Sequence, residues 1–189
     1  MSLFLERGFD QVSVAEVARA ADVSEQTVFN YFPTKEDLVY ERMDAFEQEL
    51  LAAVRERPAG ESVLRAFVRF ILDRSDTAAT GDGRRRVAEL TRLTTASPSL
   101  MARERQVVAK YTEALTALLA EETGAAPNDI EPRIAAEAMM AFHRSLIDFA
   151  RRRASSRKSG ADFASEIRAA GEQAVTLLEG GLDDYGRRA

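Results

Sequence analysis

A chain of 189 residues, 46% apolar and 30% charged, is long enough to bury a core and form one or two domains. Its net charge of −5 argues against general coating of nucleic acid and allows only a localised DNA-reading face. Zero cysteines exclude disulfides, thiolate catalysis and Cys-ligated zinc; no apolar run approaches the ~20 residues that span a bilayer, and no signal-peptide pattern opens the chain, so a cytoplasmic protein without membrane contact is expected.

The most informative stretch is 13–35, which reads as two short helices joined by a tight turn, with a third helix starting at its end. Ser13 is a good N-cap, and Glu16 three residues on completes a capping box. Val14, Val17, Ala18 and Ala21 recur at helical spacing as one apolar stripe. The turn is Asp22-Val23-Ser24: Asp tolerates the left-handed conformation, and Ser24 can cap the next helix. That second helix, Glu25 to Tyr31, is too short to stand alone in water. Val23, Val28 and Phe32 are expected to face inward, leaving Glu25, Gln26, Thr27, Asn30 and Tyr31 outward. A short helix propped by another and showing polar tips is how a helix-turn-helix enters the DNA major groove. Glu25, Gln26, Thr27 and Asn30 could then reach base edges; Gln and Asn suit adenine, whereas Glu prefers the cytosine amino group. The plainer alternative is a solvated helix with an incidental polar face.

The segments that flank this pattern are Leu3-Phe4-Leu5-Glu6-Arg7-Gly8-Phe9-Asp10 before it and Thr27-Val28-Phe29-Asn30-Tyr31-Phe32-Pro33-Thr34-Lys35-Glu36-Asp37-Leu38 across its end. With their Gly-Phe lead-in and aromatic-Pro-Thr-Lys exit, they resemble the head of the tetracycline-repressor (TetR) family of transcriptional regulators. The resemblance covers the first fifth of the chain; the rest is similar in size and all-helical character. It implies that Ser13, Ser24, Tyr31 and Lys35 join the base-edge residues in the DNA-binding set, with Ser13, Tyr31 and Lys35 at positions that hold phosphates. Phe29 matches a position often occupied by Tyr, so one phosphate contact is missing. Two departures stand out. The chain starts partway into the family's first helix, which is therefore expected to be incomplete. Residues 1–40 also carry Arg7, Arg19 and Lys35 against Glu6, Asp10, Glu16, Asp22, Glu25, Glu36 and Asp37, an acidic balance for a module that must meet phosphate. Helix N-termini and hydroxyls can still bind phosphate.

Past Lys35 the pattern is helical throughout. Thr34 is expected to cap one long helix from Lys35 to about Arg55, with Leu38, Val39, Met43, Phe46, Leu50 and Val54 inward. Pro58-Ala59-Gly60 breaks it. Ser62 to Arg74 forms an amphipathic helix, and Thr77 to Gly83 reads as a loop. Helices follow at about Arg84–Thr95, Ser99–Glu122, from Asn128 or Asp129 to about Arg153 with Pro132 in the first turn, and from Ala161 to about Leu182, closed by Gly180-Gly181.

Phe67, Phe70, Ile71, Leu90, Leu93, Val107, Tyr111, Met139, Met140 and Phe142 are mostly core by their spacing. The resemblance implies that such helices surround an effector cavity, and Met with aromatics suits an adaptable apolar pocket. His143, the sole histidine, has two readings: a polar anchor in that cavity or the dimer seam, or a core histidine satisfied by a backbone carbonyl. It has no neighbouring nucleophile, paired carboxylate or second ligand, so catalysis and metal binding find no support. Arg151-Arg152-Arg153 ends a helix, where cations complement the dipole; Arg84-Arg85-Arg86 could meet an acidic ligand group.

These readings combine as an all-α protein with a helix-turn-helix head at 1–46 and an effector-binding and dimerisation body at 47–189. The expected function is a homodimeric, ligand-responsive repressor of a palindromic operator, with double-stranded DNA and a largely apolar effector as partners and with no enzyme activity, cofactor or metal. Small residues on the last two long helices suit a two-fold four-helix seam, involving Ile134, Ala138, Ala141, Ser145, Leu146 and Phe149, and Phe163, Ile167, Ala170, Ala174, Leu177 and Leu178. The alternative is a helical small-molecule-binding or scaffolding protein that has lost DNA binding.

Overall fold

The computed structural model describes residues 1–40, 43–79, 82–155 and 163–182. Among them every regular element is helical: α1 (Ser2–Arg7), α2 (Val14–Ala20), α3 (Glu25–Tyr31), a 3-10 turn (Glu36–Leu38), α4 (Met43–Arg55), α5 (Val63–Ala79), α6 (Gly83–Ala96), α7 (Pro98–Thr123), α8 (Glu131–Ser155) and α9 (Phe163–Leu182).

The ends of these helices follow local chemistry. Ser13 and Glu16 form the capping box at α2, and Asp22 adopts φ 55° in the turn to α3. Ser24 accepts from the Thr27 N–H at the start of α3. Pro98 opens α7 behind the Ser97 cap, and Gly124 closes it in the left-handed conformation.

Two apolar clusters organise the chain. The larger joins α4, α5, α7, α8 and α9 around Leu50, Phe67, Leu115, Leu119, Met139 and Met140, all almost completely buried. The smaller ties α1 and its Phe9 lead-in to the 3-10 turn and to the α6–α7 corner through Phe4, Phe9, Val12, Val39, Leu93 and Leu100. The head is thus seated on the body by its own apolar cluster as well as by α4.

Several expectations change. The helix expected over 35–55 is interrupted: a 3-10 turn at Glu36–Leu38 packs against α7, and α4 begins at Met43. Thr34 does not cap a helix; its N–H and hydroxyl both donate to the Asp37 carboxylate, at 2.9 and 2.7 Å. That carboxylate also receives Arg103 from α7, so tertiary pairing overrides the continuous stripe. α5 runs on through Thr77–Ala79, and Gly83 already belongs to α6, while positions 80 and 81 of the expected loop lie outside the described residues. α9 continues through Gly180 and Gly181 to Leu182, and the expected start at Ala161 lies outside the described residues. Val23 is 42% exposed rather than inward, and Ala21 is exposed as well.

Gly171 shows why α9 can lie so close to α5. A Cβ at this position would stand 2.5 Å from Leu72 Cδ2 and 3.6 Å from Leu146 Cδ2. Only the missing side chain leaves room for the buried Leu72.

Candidate nucleic-acid interface and effector core

α3 is shorter than eight residues and owes its position to α2 and to Val28, its buried anchor. Ser24 is spent on the local cap: its hydroxyl lies 3.0 Å from the Thr27 N–H and 2.8 Å from Thr27 Oγ1. The Gln26 amide donates to Asn30 Oδ1 at 3.0 Å, one turn on. That pair pre-orients two amides on one helical edge, which is the side-chain type that matches adenine. Glu25 and Asn30 are exposed, Tyr31 is 77% exposed, and Phe29 beside them is 43% exposed. The structure therefore brings Glu25, Gln26, Thr27, Asn30 and Tyr31 to one short surface.

Ser13 and Lys35 are differently placed. The Ser13 hydroxyl donates to Glu16 at 2.9 Å and accepts from the Glu16 N–H at 3.2 Å. Arg7 pairs with the other Glu16 oxygen at 2.7 Å. The Ser13 N–H, then Arg7 and the Ser13 hydroxyl, pull the Glu16 carboxyl down to about 2. Lys35 Nζ donates to the Phe9 carbonyl at 2.7 Å and sits 4.3 Å from the Phe9 ring centroid. It staples the exit of α3 to the lead-in after α1, a role that its spacing does not reveal.

Beneath the head, polar links reach the α6–α7 corner. Arg92 donates to the Leu5 carbonyl at 3.0 Å, and Ser97 donates to Asp10 at 2.7 Å. The Arg103 Nε and Nη2 both reach Asp37 Oδ1, at 3.0 and 2.8 Å. Burial raises the Asp37 carboxyl, but the bonds from Thr34 and then Arg103 outweigh it and hold it low. Tyr40, just past the 3-10 turn, places its hydroxyl 3.3 Å from both the Leu100 carbonyl and Glu104. Glu104 in turn accepts from Arg151 of α8 at 2.8 Å. Burial first, then Glu104, raises the Tyr40 phenol. Arg151 is thus tied into the head–body seam beyond any effect on the helix dipole.

The residues assigned to an effector cavity divide. Phe67, Phe70, Ile71, Val107, Tyr111, Met139, Met140 and Phe142 all belong to the body core or pack directly on it. Leu90 and Leu93 do not join them; they pack in the head–body cluster with Phe4 and Leu100. Spacing marked them as apolar, but the partner surface covering them is the head. Two open clefts occur elsewhere, about 310 Å³ beside Arg55 and Leu118 and about 330 Å³ between α1 and α6. His143 stacks on Phe46 at 5.4 Å and 15°, and its Nδ1 is buried without a hydrogen-bond partner. The carbonyl partner expected for this nitrogen is absent among the described residues. Burial, then the nearby Arg144, depresses the imidazole to about 4, so the ring is neutral at pH 7.

A capped two-helix reader clamped on a helical body defines a DNA-binding regulator. Comparison with known proteins gives the family. Residues 1–41 match the family of bacterial regulatory proteins of the tetR type, and residues 57–175 match the MftR C-terminal domain. The chain belongs to the TetR family of DNA-binding transcriptional regulators. It is 36% identical over 67 residues to the HTH-type transcriptional regulator TcmR of Streptomyces glaucescens, covering 35% of this chain and 30% of TcmR. It is 26% identical over 147 residues to MftR of Mycobacterium tuberculosis, a proposed mycofactocin biosynthesis transcriptional regulator, covering 74% of this chain and 70% of that protein. A TetR-family regulator from Mesorhizobium loti shares the fold with a TM-score of 0.52 at 17% identity, over 92% of this chain and 90% of that one. Salmonella enterica GusR aligns with a TM-score of 0.48 at 21% identity, over 96% and 90%.

Proposed function

We propose that this protein is a cytoplasmic, homodimeric repressor that leaves a palindromic operator when a small molecule binds its body. Residues 1–46 serve as the DNA-binding head and 47–189 as the effector and dimerisation body. The observation that carries this reading is the α3 surface, where the Gln26–Asn30 amide pair and exposed Tyr31 project from a helix otherwise anchored only by Val28. In the dimer the two α3 helices occupy successive major grooves ~34 Å apart. An effector in the body moves α4 and the α6–α7 corner, and the heads lose that spacing.

Glu25, Gln26, Thr27 and Asn30 read bases, Ser13 and Tyr31 meet the backbone, Ser24 joins the interface as the cap that starts α3, and Lys35 both braces the head and faces phosphate. Ile134 and Leu177, at 59% and 85% exposure, lie on the proposed seam of α8 and α9. Anisotropy titration of a palindromic fragment upstream of the protein's own gene tests the reading. Binding that weakens with salt supports it, while equal affinity for a scrambled fragment overturns specific operator recognition.

One observation favours a body that has outlived its DNA-binding role: of the three cations in residues 1–40, Arg7 and Lys35 are engaged with Glu16 and the Phe9 carbonyl. A protein that binds a small molecule but no DNA at 50 mM salt, where phosphate attraction is strong, would establish that alternative.

A further inference from the structure

The amide pair on α3 presents a pattern that one base matches. The Gln26 amide donates to Asn30 Oδ1 at 3.0 Å, which leaves Gln26 Oε1 as an acceptor and Asn30 Nδ2 as a donor on two exposed side chains. In the major groove only adenine offers a donor, N6–H, beside an acceptor, N7.

Phe29 lies on the same helical face. It follows Gln26 by three residues, so their Cβ atoms stand about 5–6 Å apart, and it directly precedes Asn30. It is 43% exposed, belongs to neither apolar cluster, and pairs with no other ring among the described residues. A single exposed apolar side chain is ordinary. What sets Phe29 apart is that its neighbours on the helix are the amides that meet the bases. Its ring has no hydroxyl with which to bond a phosphate, so what it gains at a DNA surface is apolar contact. The major-groove edges carry one apolar group, the thymine C5-methyl.

The balance of charge points the same way. Residues 1–40 hold three cations against seven acids, with Arg7 engaged by Glu16 and Lys35 by the Phe9 carbonyl. Contacts that release no counterions then carry more of the affinity, and burying a methyl group against a ring is one of them.

We propose that Phe29 is a specificity-determining residue that packs on the C5-methyl of a thymine one base pair from the adenine read by Gln26 and Asn30. The inference rests on reading α3 as the base-reading helix of an operator-binding protein, and adds the operator feature that the helix selects. Three residues of helix advance about 4.5 Å, close to the ~3.4 Å step between base pairs. With α3 lying along the groove, the ring beside the amide pair meets the base pair beside the adenine.

The probe is the tightest duplex that the full-length protein selects from a pool of random half-sites, each joined to its own inverted repeat. Copies of that duplex carry deoxyuridine in place of one thymine per half-site. Deoxyuridine keeps O4 and the pairing with adenine, and removes only the methyl. At one thymine, next to an adenine, the wild type should lose about fourfold in affinity per half-site, the worth of one buried methyl group, and about fifteenfold for the two together. Phe29→Ala should bind the thymine and deoxyuridine duplexes alike, with the salt slope of the wild type, because no phosphate contact is lost. Phe29→Leu keeps an apolar side chain, should retain part of the methyl preference, and covers the case in which the alanine variant does not fold. A selected half-site whose methyls make no difference to the wild type would overturn the proposal. So would a methyl preference that survives intact in folded Phe29→Ala, or a salt slope that flattens with it. A protein that selects no sequence from the pool loses the operator reading and this proposal together, whereas one that selects a duplex and ignores its methyls loses the proposal alone.

Discussion

Arg103 places Nε and Nη2 on a single carboxylate oxygen of Asp37, at 3.0 and 2.8 Å, and so joins the second turn of α7 to the 3-10 turn under the head. Asp37 is the more enclosed partner, with 15% of its side chain exposed against 35% for Arg103. Such a pair contributes at most about 1 kcal/mol after screening by solvent, so its main work is geometric. Arg103→Gln should lower stability by less than about 1 kcal/mol in urea melts. Amides of 34–40 should nevertheless exchange faster, and operator affinity should fall because the heads are no longer held in one orientation. Unchanged exchange in that segment would show that the apolar seam alone positions the head.

Tyr31 and Lys35 should separate DNA contact from head stability. Tyr31 is 77% exposed, so Tyr31→Ala should leave the melting transition within about 0.5 kcal/mol of wild type while weakening binding to all sequences alike. Lys35→Ala removes the bond to Phe9 as well, and should lower both stability and affinity. Its salt slope should flatten by about one, the signature of one lost phosphate contact. A variant that loses stability and keeps the slope would make Lys35 a brace only. Gln26→Ala should instead relax base preference at one position in each half-site.

Gly171→Ala tests the closest approach of α9 to α5. The new methyl would meet Leu72 Cδ2 at 2.5 Å inside a packed cluster, so a loss of about 1–3 kcal/mol is expected from overpacking. Leu72→Ala empties that space, and the two changes together should cost less than their separate losses combined. Simple additivity in thermal or urea unfolding would show that the helices move apart freely.

The head was largely legible because its signals are local. A serine cap with Glu at the third helical position, an Asp in the left-handed turn and a second serine cap are each decided within four residues, and the structure has all three. The body was legible as helices and much less so as a site. Spacing marks Leu93 as apolar, but nothing in its spacing says that Phe4 and Leu100, rather than the body core, will cover it. The break before α4 is equally hidden, since Leu38 and Val39 continue the helical stripe, while Asp37 is held by Thr34 and by the long-range pairing with Arg103 that spacing does not announce. Phe46 read as one more inward residue; its meeting with His143 depends on how α4 crosses α8.

His143 should make stability depend on pH in a particular window. Its folded value, about 4, lies below the ordinary value of 6.5, so between these limits the unfolded chain binds more protons than the folded one. Stability therefore falls as the pH drops from about 6.5 towards 4, by up to roughly 3 kcal/mol. Glu16 and Asp37, both held low in the folded state, also lose stability in acid, so the histidine's share is read as a difference between proteins. His143→Phe keeps a ring against Phe46, removes the unpaired nitrogen, and should be neutral or stabilising at pH 7. Its melting temperature should decline less than the wild type's between pH 6.5 and 5. Parallel declines would mean that the imidazole is not held neutral.

The proposed dimer seam needs variants chosen from exposure, because Leu146, Phe163 and Ile167, first marked for it, lie inside the protomer. Leu146 and Ile167 are only 7% and 4% exposed and belong to the body core, so Glu at either position would disrupt the protomer whether or not it dimerises. Ile134 and Leu177, at 59% and 85%, are free to carry a charge in an isolated protomer. Ile134→Glu and Leu177→Glu should each leave far-UV circular dichroism unchanged while shifting sedimentation from dimer to monomer at micromolar concentration. In an isologous seam each substitution appears twice about the two-fold axis, which amplifies its effect on association. The resulting monomers should lose most operator affinity, since one head cannot occupy both half-sites of a palindrome. Wild-type protein that sediments as a monomer would remove the two-fold mechanism, and variants that remain dimers would move the seam to another face.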